Sequence, residues 1–73
     1  MTEDVAREFL ARLWEIQDRE GLSNPRLARE LECSAPYIWR LRKGERGQQL
    51  SVSFVLRAVR RFPELAVFLG QGS

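Results

Sequence analysis

The sequence has no histidine and one cysteine. Without histidine, no side chain titrates near neutral pH at its unperturbed value, and the usual general base and nitrogen ligand are missing. One thiol builds neither a disulfide framework nor a cysteine-rich zinc site. A conventional triad, a zincin site and a Cys–His nucleophile pair are therefore excluded. There is no Gly-rich phosphate loop and no paired acid cluster in a plausible cleft, so no enzyme chemistry, cofactor or metal is expected. No run approaches the ~18 apolar residues of a membrane span. The opening Met1-Thr2-Glu3-Asp4 is acidic, the wrong charge for a secretory signal. The expectation is a cytoplasmic, reduced protein with no membrane or small-molecule partner.

What is present is ordinary globular composition: 44% hydrophobic and 30% charged residues in a chain of 73. That length allows one small domain, 1–70, with Gly70-Gln71-Gly72-Ser73 closing the chain and 71–73 read as a flexible tail. It excludes a TIM barrel or a Rossmann domain. A chain this short buries only roughly 60% of its unfolded surface, so a second copy would add useful core. The net charge of +2 is unevenly spread. Residues 1–20 carry three Arg against six acids. Residues 33–62 carry Arg40, Arg42, Lys43, Arg46, Arg57, Arg60 and Arg61 against Glu45 alone. An acidic front and a basic back point to one electropositive face. All cations but Lys43 are Arg, which suits bidentate contacts with carboxylate and phosphate; a GC-rich genome or a warm habitat would give the same bias.

No stretch reads as strand, and periodicity with punctuation predicts five helices. The first spans about Glu3 to Glu20, with Thr2 as N-cap, an apolar stripe of Val5, Phe9, Leu13 and Ile16, and Gly21 as its stop. Glu3–Arg7, Glu8–Arg12 and Glu15–Arg19 have the spacing of i,i+4 ion pairs. Leu10 and Trp14 form a second apolar strip, for the C-terminal helix or for a partner. The second helix starts at Ser23 or Asn24, with Pro25 in its first turn and Leu27, Ala28 and Leu31 inward, and ends by Glu32. Ser34 caps a third helix from about Ala35 to Lys43, stopped by Gly44. Cys33 between them reads as a small buried apolar group. After a polar loop, Glu45 to Leu50, Ser51 caps a fourth helix to about Phe62 with a stripe of Val55, Ala58, Val59 and Phe62. Pro63 breaks the run, and a short helix follows over Glu64–Leu69.

On the third helix, Ile38 and Leu41 define the inward direction. At about 100° per residue, Pro36 and Lys43 point roughly 170° away and Trp39 and Arg40 roughly 130° away, with Ala35 at the edge and Tyr37 and Arg42 at the flanks. A basic face with an aromatic fits a DNA major groove, which admits one helix. Arg40 has the reach for the O6/N7 edge of guanine, and Lys43 and Arg46 suit phosphates. Ala35, Pro36 and Trp39 offer apolar surface for a thymine methyl. A solvated charged face is the competing reading.

The stretch Leu22-Ser23-Asn24-Pro25-Arg26-Leu27-Ala28-Arg29-Glu30-Leu31-Glu32-Cys33-Ser34-Ala35-Pro36-Tyr37-Ile38-Trp39-Arg40-Leu41-Arg42-Lys43-Gly44-Glu45-Arg46 resembles the Cro/repressor-type helix-turn-helix family, often called XRE. Leu22, Ser23, Leu27, Ala28, Leu31, Ser34, Ile38, Leu41, Gly44 and Arg46 agree with its pattern, and the likeness extends over about residues 4–69. The resemblance implies an all-α, five-helix Cro/repressor-like domain and a small, sequence-specific transcriptional regulator of repressor type. It implies double-stranded DNA as partner, a homodimer and a place on the nucleoid. It implies that Ala35, Pro36, Trp39 and Arg40 face bases, and that Asn24, Lys43 and Arg46 touch phosphates; Tyr37 is grouped with the phosphate contacts. The dimer surface is expected from Leu65, Val67, Phe68 and Leu69 with Trp14, although the same apolar residues can be internal core. Four departures stand out. Glu32 occupies a position where the family has Gly, Ala35-Pro36 replaces a polar pair, Arg42 replaces a common Glu, and Trp39 is bulky for a groove. The apolar share of that face supports a second reading, a protein-interaction module of adaptor or antitoxin-like type docking through Pro36 and Trp39.

Overall fold

The computed structural model describes residues 3–44 and 50–70. Thr2, Arg46 and most of the 45–50 loop lie outside the described residues, as does the 71–73 tail. The described residues are all-helical. The elements are α1 (Glu3–Arg19), α2 (Asn24–Glu30), α3 (Ala35–Lys43), α4 (Val52–Arg61) and a terminal 3₁₀ helix (Pro63–Gly70). No described helix is long and apolar enough to cross a membrane.

Local chemistry sets most of the boundaries. Ser23, Ser34 and Ser51 each sit in extended backbone, and each hydroxyl accepts the N–H three residues on, from Arg26, Tyr37 and Phe54 at 3.2, 3.3 and 3.1 Å. Each bond satisfies one of the N–H groups that the first helical turn leaves without a partner. Pro25 and Pro36 fall in first turns, where the missing N–H costs nothing. Gly21 ends α1 at φ 66 as the left-handed residue of a Schellman motif: its N–H donates to Asp18 O, and that of Leu22 to Gln17 O.

The end of α2 repeats this geometry with a glutamate. Glu32 has φ 55; its N–H donates to Arg29 O at 3.2 Å, and the Cys33 N–H to Ala28 O at 2.8 Å. A side chain with a Cβ costs on the order of 1 kcal/mol more than Gly here. Arg57 of α4 offsets part of that, with Nη1 donating to Glu32 O at 3.3 Å and Nε lying 3.6 Å from Glu32 Oε2. The turn that joins α2 to α3 is thus tied down from α4.

The core is built from one face of every element: Phe9, Leu13 and Ile16 of α1, Leu27 of α2, Ile38 and Leu41 of α3, Phe54, Val55 and Ala58 of α4, and Leu65 and Phe68 beyond. Phe9 meets Phe68 edge-on, with ring centroids 5.9 Å apart. Phe54, absent from the expected stripe of α4, is buried, whereas Val59 is only partly so. Cys33 is also only half-buried. It lines a shallow groove of about 350 Å³ with Ser34, Tyr37, Ser51, Phe54 and Arg57. Burial pushes its thiol pKa up, and the Arg57 charge opposes that shift.

The last element departs from the expected α-helix. Its inward positions are Leu65 and Phe68, three apart, with Ala66, Val67 and Leu69 exposed. That is the period of a 3₁₀ helix, in which i and i+3 eclipse. A period of 3.6 would have turned Leu69 inward beside Phe68.

Candidate nucleic-acid interface

The outer face of α3 forms around two anchors. Ile38 and Leu41 are buried and Ala35 and Tyr37 pack partly against the core, so Pro36, Trp39, Arg40 and Lys43 are left facing outward. Pro36, Arg40 and Lys43 are exposed, Ala35 is half-buried, and Trp39 is 53% exposed. This matches the arrangement expected from helical spacing. The Lys43 ammonium lies over the Trp39 ring, 4.4 Å from its centroid. The i,i+4 stack holds the indole against its own helix and keeps a cation beside it. Arg40 and Lys43 have no acidic partner among the described residues.

Three other cations of the basic stretch behave differently. Arg42 Nη1 donates to Gln17 Oε1 at 2.6 Å and lies 3.4 Å from Asp18 Oδ1, while its guanidinium stacks 5.2 Å from the Trp14 ring centroid. Arg61 Nε donates to Glu30 Oε2 at 2.9 Å. Arg57 holds Glu32. These three arginines bind α1, α2 and the α2–α3 turn, so the expected basic back narrows to Arg40 and Lys43 on α3 with the exposed Arg60 on α4.

Asn24 is half-buried at the start of α2. Its Oδ1 accepts from Gln17 Nε2 at 2.7 Å. Gln17 itself is 2% exposed, the buried polar side chain in a core that is otherwise apolar among the described residues. Tyr37 is half-buried and packs edge-on against Phe54, centroids 5.4 Å apart, so its ring joins α3 to α4. Arg46 lies outside the described residues.

The expected dimer surface needs correcting. Leu65 is fully buried and Phe68 nearly so, both inside this chain's own core, where the 3₁₀ period puts them. They offer nothing to a partner. Val67 and Leu69 are 61% and 46% exposed and remain on the surface, and so do Val52 and Leu56 of α4. Trp14 is half-buried and partly covered by Arg42.

Sequence reading missed Gln17, Arg42 and Arg57 as organising residues. A signal existed for Gln17: it follows Leu13 by four and so continues the buried stripe of α1 with a polar residue. Arg42 and Arg57 carried none, because their partners lie 24 to 25 residues away. No family model, curated protein or solved structure matches this chain at a significant level.

Proposed function

We propose that this chain is a small, sequence-specific DNA-binding transcriptional regulator, a helix-turn-helix domain of Cro/repressor type that lays α3 in the major groove. The observation that carries this reading is the outer face of α3, where Arg40 and Lys43 stand without acidic partners among the described residues, beside an exposed Trp39. An unpaired Arg on a helix that fits the groove can read guanine through O6 and N7. Lys43 and Asn24 serve as phosphate contacts, which set register without carrying sequence information. The left-handed Glu32, clamped by Arg57, supports the reading because it holds the angle between the short α2 and α3. A homodimer would place two copies of α3 about one DNA turn apart, roughly 34 Å, on a palindromic site. Val67 and Leu69 are what remains of the C-terminal surface for that contact.

The test is selection from a randomised duplex DNA pool at two salt concentrations, followed by sequencing. A palindrome with half-sites one turn apart is the expected result. Binding without a motif but with a steep salt slope would mean recognition by shape and backbone alone. A second reading, a protein-interaction module, is favoured by one observation, the exposure of Trp39 next to Pro36. That reading gains if the chain fails to bind duplex DNA at low salt.

A further inference from the structure

We infer that Gln17 and Arg42 are positioning residues that turn the Asn24 side-chain amide so that its N–H₂ group, and not its carbonyl, faces the DNA backbone. The inference rests on the DNA-binding reading above. Its physical basis is a relay of hydrogen-bond polarity. A guanidinium can only donate, so the Gln17 atom 2.6 Å from Arg42 Nη1 must be the carbonyl Oε1. The other end of the Gln17 amide is then the nitrogen, which donates to Asn24 across 2.7 Å. Asn24 must accept with Oδ1, and its Nδ2 donors are left for the opposite side. Nδ2 has no protein partner among the described residues. Gln17 is almost fully buried, so the relay runs where water cannot easily replace a missing partner. Trp14 and Asp18 hold the Arg42 guanidinium at the head of the chain.

The residue at position 42 therefore sets the sign of the contact 18 positions earlier. A donor at 42 presents a donor at 24, which suits a phosphate. An acceptor at 42 would reverse every amide in the chain and present the Asn24 carbonyl to the same phosphate. Sequence alone marks Arg42 as one more positive charge; its effect through Gln17 belongs to the tertiary structure.

Gln17→Glu separates positioning from packing. The new carboxylate keeps the shape and still accepts from Arg42, but Asn24 must now donate to it and turn its carbonyl outward. The affinity for the selected duplex should fall by about tenfold, the worth of one hydrogen bond to a charged group. In an Asn24→Ala background the same substitution should lose most of that effect, leaving only the long-range repulsion of one added charge. Base preference should not change in either background. A second measurement uses the native protein and needs no variant to fold: amide exchange by NMR should show the Gln17 side-chain N–H₂ protected and that of Asn24 exchanging freely. If the native chain does not bind duplex DNA, the functional reading falls and this inference with it. If it binds, and Gln17→Glu weakens binding equally in both backgrounds, or the exchange pattern is reversed, the positioning role alone is overturned.

Discussion

Arg40 and Arg42 lie two residues apart on α3, yet they meet opposite surroundings. Arg40 projects from the outer face with no acidic partner among the described residues. Arg42 is drawn over Trp14 onto Gln17 and Asp18. The same contrast separates Lys43, stacked on Trp39, from Arg57 and Arg61, which are paired with Glu32 and Glu30. A run of like charge is thus two populations. One supports the fold through ion pairs and carbonyl contacts; the other stands exposed without an acidic partner among the described residues. Net charge does not distinguish them, because it is blind to where the acids of α1 and α2 arrive.

The contrast can be broken at its root by removing the anchor that orients α3. Ile38 is fully buried, and Ile38→Ala should cost about 2–5 kcal/mol through lost burial and a residual cavity. In a domain of 73 residues that approaches the whole stability, so thermal unfolding should shift by many degrees or lose its cooperativity. A retained melting temperature would mean that α3 is not held as described.

The contrast sharpens with Arg40→Ala, which should lower affinity for the selected duplex by about 1–3 kcal/mol, relax preference at one base position and leave the fold intact. Equal losses on all sequences would remove Arg40 as a base reader. Glu32→Gly tests the turn that both populations depend on. Relief of the left-handed strain should raise stability by about 1 kcal/mol, since the Arg57 bond to the backbone carbonyl survives the change. Denaturant melts would show it as a higher midpoint at unchanged slope. Arg61→Ala is the counterpart of Arg40→Ala on the fold-supporting side. Its pair with Glu30 is partly exposed, so stability should drop by only about 0–1 kcal/mol, with base preference unchanged.

The smallest effect concerns the join between α1 and the 3₁₀ helix. Arg19 Nη2 donates to Glu64 Oε1 at 2.8 Å. That hydrogen bond, with the Arg19 charge adding to it, holds the Glu64 pKa below its ordinary 4.5. The folded pKa is the lower one, so the contribution is fully present above the unfolded value. It is lost as pH falls through the folded one. Glu64→Gln should therefore lower stability slightly at neutral pH, make little difference in acid where Glu64 is protonated, and so flatten a small part of the acid limb, as melts at about pH 7 and about pH 2 would show.

The caps, the stops and the inward faces of α1 to α3 were legible because they depend on neighbours within four residues. Ser23, Ser34 and Ser51 cap where a hydroxyl ahead of a helical run should cap. The outer face of α3 was legible for the same reason: once Ile38 and Leu41 point inward, the helical period places Pro36, Trp39, Arg40 and Lys43 outside. Two of the three expected ion pairs were not, and the third, Glu3–Arg7, rests on a side chain outside the described ones. Spacing predicted Glu8–Arg12 and Glu15–Arg19, but Arg12 bonds Glu15 at 3.1 Å, and Arg19 reaches Glu20 and the distant Glu64. Exposed i,i+4 pairs are worth a few tenths of a kcal/mol, so any acid brought near by folding displaces them. Leu65 and Phe68 were equally ambiguous, since the apolar run 65–69 reads alike whether it winds at 3.0 or 3.6 residues per turn.

By itself, then, the sequence determined an all-helical chain, the helix limits through α4 to within a residue or two, and a basic outward stripe on α3, all by short-range sterics and capping. Tertiary structure decided which cations stay unpaired among the described residues, which apolar residues of the last helix stay on the surface, and which way the Asn24 amide points. Each of these depends on a contact between residues far apart in the chain, and no local rule specifies that contact.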